Sequence, residues 1–108
     1  MKTNKTVITL SWNMPTETIP GVWENSIINQ MVKASKEKIF QKRMDMALAE
    51  GLLLTHRFSI RTAYIIMYLY DNKCTLDYVE YEGNIYKVKS ITDSMTTHYT
   101  TIETGEMM

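Results

Sequence analysis

The sequence predicts a mainly β protein with one helix: a small β-barrel or sandwich of about six short strands, with the helix inserted between strands 2 and 3. Three observations support this fold class. Several short segments alternate apolar and polar residues, the stretch VEYEGNIYKV at 79–88 has the pattern of a hairpin, and a single segment has helical spacing. The whole chain, 1–108, is expected to form one domain with a modest core.

Two strands are predicted at the start of the chain. TVITLSW alternates and places Ile8, Leu10 and Trp12 on one face, which indicates a strand over 6–12. The following NMPTETIPG contains both prolines and a glycine and is typical of a loop. VWENSIINQMV mixes β-forming and polar residues, and we interpret 22–32 as the second strand.

The helix is predicted in SKEKIFQKRMDMALAEG. Ser35 can cap its N-terminus, and Gly51 suits the position that follows the last turn. An apolar stripe with helical spacing is formed by Phe40, Met44, Ala47 and Leu48. The polar surface is locally basic and contains Lys36, Lys38, Lys42 and Arg43.

The third strand is predicted in LLTHRFSIR, which alternates with an apolar face of Leu54, His56, Phe58 and Ile60. The next segment, AYIIMYLY at 63–70, is apolar without a break. Such a run fits a strand covered on both faces or a bent connection through the core. It fits equally well a strip that another chain covers, because exposed apolar patches mark interaction sites.

The hairpin of 79–88 precedes a last short strand around HYTTIE. A two-residue loop at Gly83-Asn84 would form a type II′ turn or, alternatively, a type I′ turn. This loop would put Glu80 opposite Lys87, so that an acid–base pair lies on one face. The other face would be apolar and contain Val79, Tyr81, Tyr86 and Val88.

Composition limits the classes of partner and compartment. Twelve basic and twelve acidic residues give a formal net charge of zero, so the composition does not require nucleic acid or an acidic membrane as a partner. A net charge of zero is still compatible with a local basic patch. The single cysteine, Cys74, excludes an intrachain disulfide framework, and a reduced compartment is the simplest interpretation. No apolar run approaches the roughly 20 residues of a membrane span, and the N-terminus lacks the apolar region of a signal peptide. We therefore expect a protein that is cytosolic at synthesis, with no membrane partner.

No residue pattern indicates a catalytic, cofactor or metal site. His56 and His98 have no acid or cysteine at metal-ligand spacing, and His56, on an apolar face, is more often a core or interface residue. Cys74 is more often a half-buried thiol than a nucleophile. The four glycines are scattered and form no phosphate cradle. We expect no enzyme activity, no cofactor and no metal.

Several motifs, in order along the chain, resemble those of the head-closure family of long-tailed bacteriophages, whose members are also called head-tail connector or stopper proteins. Thr9-Leu10 matches the family's early TL strand, and Val22-Trp23 matches its tryptophan-containing strand. KEKIFQ matches a segment with an acid beside an aromatic residue. THRFSIR at 55–61 matches T-H-x-[FIV]-x-I-R, and VEYEGNIYKV matches V-x-Y-x-G-x-x-Y-x-[IV]. The resemblance covers most of the chain.

This resemblance implies a virion protein of the phage neck that forms a ring, commonly a dodecamer, around the DNA channel. Such a ring closes the channel after packaging and docks the tail. The implied partners are further copies of the chain, the portal-bound adaptor, the tail terminator or tail tube protein, and packaged DNA without sequence specificity. The implied location is the virion, with the host cytoplasm during assembly.

Two functional surfaces are expected, one implied by the resemblance and one by the apolar run. The family places the segment between its second and third strands toward the channel, so the residues expected to face DNA are Lys36, Lys38, Lys42 and Arg43. From the apolar run, the residues expected at the subunit interface are Tyr64, Ile66, Tyr68 and Tyr70.

A small β-barrel nucleic-acid-binding module is the alternative function. Such a module would carry a basic sheet face with exposed aromatic residues. The polar face of the predicted hairpin is instead balanced in charge, with Tyr78 as its one aromatic residue. This balance favours the connector ring.

Overall fold

The computed structural model describes residues 5–69, 74–94 and 98–108. These residues form six strands and two helices, in the order β1 (Lys5–Ile19), β2 (Val22–Glu37), α1 (Gln41–Ala49), β3 (His56–Arg61), α2 (Thr62–Leu69), β4 (Thr75–Tyr81), β5 (Asn84–Ser94) and β6 (Tyr99–Met107). The strands close into an antiparallel barrel in the order β1-β2-β3-β6-β5-β4. The predicted fold class is confirmed, with a helix between strands 2 and 3, and α2 is a second helix that directly follows β3.

The hairpin of β1 and β2 extends well beyond the barrel. Within the described strands, β1 pairs with β4 over residues 9–13, and β2 pairs with β3 over residues 34–37. Residues 14–28 pair across the hairpin alone and form a two-stranded ribbon, which we call the arm. The prediction of a loop at 13–21 was therefore wrong. Pro15 is accommodated because the arm has free strand edges, where a missing N–H needs no ladder partner.

The core occupies the barrel interior. Ile8, Leu10 and Trp12 of β1 point inward, as their alternation predicted, and so do Phe58 and Ile60 of β3. The buried cluster consists of Ile8, Leu10, Trp12, Val32, Ala34, Phe58, Ile60, Ile65, Leu76, Val79, Tyr81 and Ile102. Odd-numbered residues of β1 and β2 consequently form the outer wall.

Helix α1 begins later than predicted because β2 continues through Glu37. Ser35, the predicted cap, is buried in β2 opposite Ser59, so strand pairing overrides the local helical pattern. Phe40 occupies the N-cap position, makes no capping hydrogen bond and is 70% exposed. Gly51 follows the helix with a φ of 81°, as predicted.

The predicted apolar stripe of α1 holds only in part. Ala47 is fully buried and Met44 is half-buried, whereas Phe40 and Leu48 are exposed. The stripe prediction was therefore wrong at both of its ends, and α1 presents little apolar surface to the barrel.

The hairpin of β4 and β5 turns at Glu82-Gly83, where both residues have positive φ, 51° and 79°. This is the type I′ alternative, one residue earlier than the predicted loop. The predicted faces survive, with Val79 and Tyr81 buried, because the register moves by an even number of residues. The predicted Glu80–Lys87 pair was wrong, since Glu80 lies opposite Ile85 and Lys87 lies opposite Tyr78.

Candidate functional site

The cations predicted to face DNA come from three different elements. Lys36 belongs to β2, Lys38 to the connection that follows it, and Lys42 to α1, and all three are exposed. The Lys36 Nζ lies 5.2 Å from the ring centroid of Tyr81. Lys36 and Lys38 border a concavity whose lining also includes Glu37 and Glu82, so the local charge there is mixed.

Arg43, the fourth predicted cation, is held by a buried carboxylate. Its Nη2 and Nε donate hydrogen bonds to the Glu103 carboxylate at 2.7 and 3.2 Å, and Glu103 is only 4% exposed. These bonds and the carboxylate charge raise the pKa of Arg43. Arg57 Nη1 approaches the same carboxylate at 3.6 Å. Arg43 therefore fastens α1 to the barrel wall and, unlike the lysines, has its charge neutralised.

The chain that follows α1 is held tightly against β6. The Thr55 hydroxyl donates a hydrogen bond of 2.6 Å to the carbonyl of Gly105. A Cβ at Gly105 would stand 3.1 Å from the Leu53 carbonyl oxygen and 2.8 Å from Lys89 Cγ. A side chain at position 105 would therefore require the Lys89 side chain to move and the Leu53 carbonyl to shift slightly.

The apolar run of 63–70 is largely accounted for by α2, a helix with two different faces. Ile65 is fully buried in the core, and the Tyr68 ring stacks on Trp12 with centroids 5.5 Å apart. The opposite face exposes Tyr64 and Ile66 to solvent. The predicted interface residues thus separate into an exposed pair and an inward-facing Tyr68, while Tyr70 lies outside the described residues.

Two hydrogen bonds through the Gln30 side chain hold α2 against the barrel. The Trp12 indole donates to Gln30 Oε1 at 3.1 Å, and Gln30 Nε2 donates to the backbone carbonyl of Tyr64 at 2.6 Å. One glutamine therefore connects β1, β2 and α2.

The arm is a second exposed apolar surface, one that the sequence interpretation missed. Ile27 is 71% exposed on its outer face, and Ile19, Val22 and Trp23 are exposed around the turn. Gly21 allows this turn with a φ of 86°. The signal was hidden because two prolines and polar residues between the apolar positions resemble a loop.

A basic concavity on the outer wall of the barrel was also missed. Strand pairing puts Lys5 opposite Ser35 and Ser35 opposite Ser59. In the adjacent row Arg61 pairs with Tyr99. The resulting cavity, about 320 Å³, is lined by Lys5, Lys33, Ala34, Ser35, Ser59, Arg61, Tyr64 and Tyr99. We call it the wall cavity.

His56 packs among aromatic rings at one opening of the barrel. Its ring centroid lies 4.6 Å from that of Tyr86 and 5.3 Å from that of Tyr81. Its Nδ1 is buried and has no hydrogen-bond partner within the described part of the chain. Burial lowers the pKa of His56, the charge of Lys36 lowers it further, and Glu82 opposes both effects.

The remaining sequence candidates show no clustering. Cys74 is half-buried against the core, and His98 is exposed. Across residues 5–69, 74–94 and 98–108, no group of three His, Cys, Asp or Glu side chains is placed to hold a metal ion. Neither helix of the described chain has the length and apolarity to cross a membrane.

Comparisons with known proteins leave the surfaces above as the basis for assigning a function. A scan against protein-family models finds no match to this chain, and a search of curated proteins finds none either.

Proposed function

We propose that this chain is a structural protein of the bacteriophage neck, which assembles into a ring, commonly a dodecamer in this class, between the portal-bound adaptor and the tail. Most of the motifs that resemble those of head-closure proteins lie in strands, in the same order along the chain, whereas KEKIFQ spans the end of β2 and the connection to α1. Thr9-Leu10 lies in β1, Trp23 in β2, and VEYEGNIYKV in the β4–β5 hairpin; THRFSIR lies in β3 except for Thr55, which precedes the strand. The ring would close the DNA channel and dock a tail terminator or tube protein.

The observation that carries this proposal is the exposed apolar arm. A two-stranded ribbon without further support is marginally stable in water. The arm nevertheless leaves Ile19, Trp23 and Ile27 in solvent, at the cost of solubility. Covering by a neighbouring protein would remove this apolar area from water and would rigidify the ribbon.

A second apolar face supports a ring rather than a two-fold dimer. Ile66 and Met67 of α2 are exposed, and they belong to the barrel rather than to the arm. A ring needs a heterologous contact, in which one patch of a subunit meets a different patch of the next subunit. The arm and the outer face of α2 are two such patches on one chain.

The DNA-facing role is proposed for the three lysines of the segment between β2 and β3. Lys36, Lys38 and Lys42 are exposed and able to meet phosphates without sequence specificity. Arg43 would act differently, because Glu103 already occupies its guanidinium. Its part in the ring would be to hold α1 in place.

A nucleic-acid-binding barrel module remains the second candidate, and the wall cavity favours it. The cavity combines Lys5, Lys33 and Arg61 with Tyr64 and Tyr99, which is the basic face with aromatic residues that such a module needs. The module would act as a free chain, whereas the neck protein would be found in particles.

The experiment that tests the neck role deletes the gene from the phage that encodes the chain. We expect heads that package DNA and then lose it, together with free tails that do not attach. Mature, infectious particles at normal yield would contradict the proposal.

Complementation then tests the arm. Trp23→Ser should fail to restore particles, because it removes an exposed apolar contact without touching the core. Leu53→Ser is the matched control, since Leu53 is equally exposed but lies away from the arm. Circular dichroism should show both variants folded; full rescue by Trp23→Ser would exclude the arm as an essential contact.

A further inference from the structure

The wall cavity gathers positive charge from three strands in one concave place. We propose that the wall cavity is a binding site for a phosphate group, carried either by a nucleic-acid backbone or by a small phosphorylated ligand. Lys5, Lys33 and Arg61 would supply the charge. The site is complete within one chain, so it stands whether or not the chain forms a neck ring.

The charge balance of the wall supports this assignment. On the same wall, Arg43 and Arg57 share the carboxylate of Glu103, so that cluster contains its own counter-charge. The lining of the wall cavity contains no acidic residue. Within the described residues, none of its three cations has a carboxylate oxygen within 4.0 Å. Three like charges in one concavity repel each other, and a bound anion would remove that repulsion.

The lining also presents hydrogen-bond donors. The hydroxyls of Ser35 and Ser59 belong to buried residues at the base of the cavity. The phenol groups of Tyr64 and Tyr99 line the cavity close to the Arg61 guanidinium and raise its pKa. A guanidinium remains charged at physiological pH and can donate two parallel hydrogen bonds to a phosphate.

Phosphate fits these donors better than a carboxylate does. A carboxylate has two oxygens and one charge, which leaves part of a three-cation site unsatisfied. A phosphate group offers more acceptor oxygens and up to about two charges. The cavity volume of about 320 Å³ lies at the lower end of the range of about 300–1,000 Å³ for ligand sites, so it also admits part of the group to which the phosphate is attached.

The test follows backbone amide signals of the purified ¹⁵N-labelled chain by NMR. The probes are inorganic phosphate, adenosine monophosphate and a short DNA duplex, each compared with sodium chloride at equal ionic strength. We expect shifts centred on residues 33–35, 59–61 and 99. Arg61→Gln and Lys33→Gln should each weaken binding by about tenfold or more, as expected for a lost charged hydrogen bond. Lys87→Gln, an exposed cation on β5 that pairs with Glu106, should change binding by less than about twofold.

The probes separate the two sources of phosphate. Tighter binding of duplex, with a salt slope that falls by about 0.9 in Arg61→Gln, assigns the phosphate to a nucleic-acid backbone. Equal or tighter binding of adenosine monophosphate assigns it to a small ligand. The absence of localised shifts with all three probes overturns the proposal, as does equal weakening by Lys87→Gln. If Arg61→Gln does not fold, Lys33→Gln decides the question. Because the purified chain is used, a negative result here leaves the neck role intact, and normal particles after gene deletion leave the wall cavity intact.

Discussion

The two openings of the barrel are filled by different kinds of side chain. At the Trp12 end, α2 buries Ile65 and stacks Tyr68 on Trp12. At the His56 end, the rings of His56, Phe58, Tyr81 and Tyr86 pack on one another. β2 runs between the two ends, pairing with Trp12 through Ile28 and with Phe58 through Lys36.

The two ends differ in how the stability of their packing depends on pH. The Trp12 end combines apolar burial with neutral hydrogen bonds through Gln30, and none of these groups changes charge near neutral pH. The His56 end contains an imidazole with a buried Nδ1, next to Lys36 and Glu82. The packing at the Trp12 end should therefore be insensitive to pH near neutrality, whereas the stability of the packing at the His56 end should depend on pH.

The largest effect is expected at the His56 end, from Phe58→Ala. Phe58 is fully buried and touches both His56 and Tyr81. Its truncation should lower the free energy of unfolding by about 3–5 kcal/mol, measured by urea denaturation. Phe40→Ala removes the same ring from an exposed site and should cost less than about 0.5 kcal/mol. Similar losses in the two variants would contradict the described packing.

The corresponding change at the Trp12 end is Ile65→Ala. Ile65 is fully buried, so we expect a loss of about 2–5 kcal/mol, smaller than for Phe58→Ala because fewer atoms are removed. Ile66→Ala is the matched control, since Ile66 is 50% exposed, and it should stay within about 0.5 kcal/mol of wild type. If Ile66→Ala proved the more damaging change, α2 would face the barrel with its other side.

A pH titration of stability separates the two ends. The pKa of His56 is lowered on folding, so the unfolded chain binds the proton more tightly. The stabilisation from neutral His56 is fully present above about pH 6.5, the ordinary pKa, and is lost as pH falls toward the folded pKa. The slope from this group is at most about 1.4 kcal/mol per pH unit.

His56→Gln should remove this slope, as measured by urea denaturation at several pH values between neutral and mildly acidic. His98→Asn deletes the other imidazole, which is exposed and has a φ of 60° that asparagine tolerates. A slope that persists in His56→Gln and disappears in His98→Asn would remove His56 from the explanation.

The smallest effect concerns the charges around His56. Lys36→Gln should raise the pKa of His56, and Glu82→Gln should lower it, because the two side chains shift it in opposite directions. NMR titration of the imidazole measures both shifts. Stability should change by less than about 1 kcal/mol, the usual range for an exposed cation over a ring. Shifts of the same sign in both variants would show that neither charge acts directly on the imidazole.

Alternation made part of the fold predictable. Ile8, Leu10 and Phe58 point into the core because a barrel strand buries one face only, and this leaves a period of two in the sequence. The same period preserved the faces of the β4–β5 hairpin although its loop was placed one residue too late. A turn with positive φ at Glu82, a residue that rarely adopts it, is decided by strand twist rather than by residue preference.

Other features required tertiary information. Thr62, Ile65 and Tyr68 have helical spacing, but the intervening Ile66 and Met67 are also apolar and conceal it. The start of α1 is displaced because residues 35–37 pair with β3. The wall cavity draws its side chains from strands that are distant in sequence, and only the register brings them together.

Closure of the barrel has a consequence for how the chain folds. β1 and β2 are neighbours in sequence, and hairpins form within about 1–10 μs. The final seam instead joins Thr9 to Glu80, so about two thirds of the chain must first be brought into a loop. Long-range pairing of this kind is slow. We therefore expect the arm to form before the barrel closes. Until β4 pairs with β1, the open edge of β1 leaves Leu10 exposed. The chain should be most prone to aggregate during this interval.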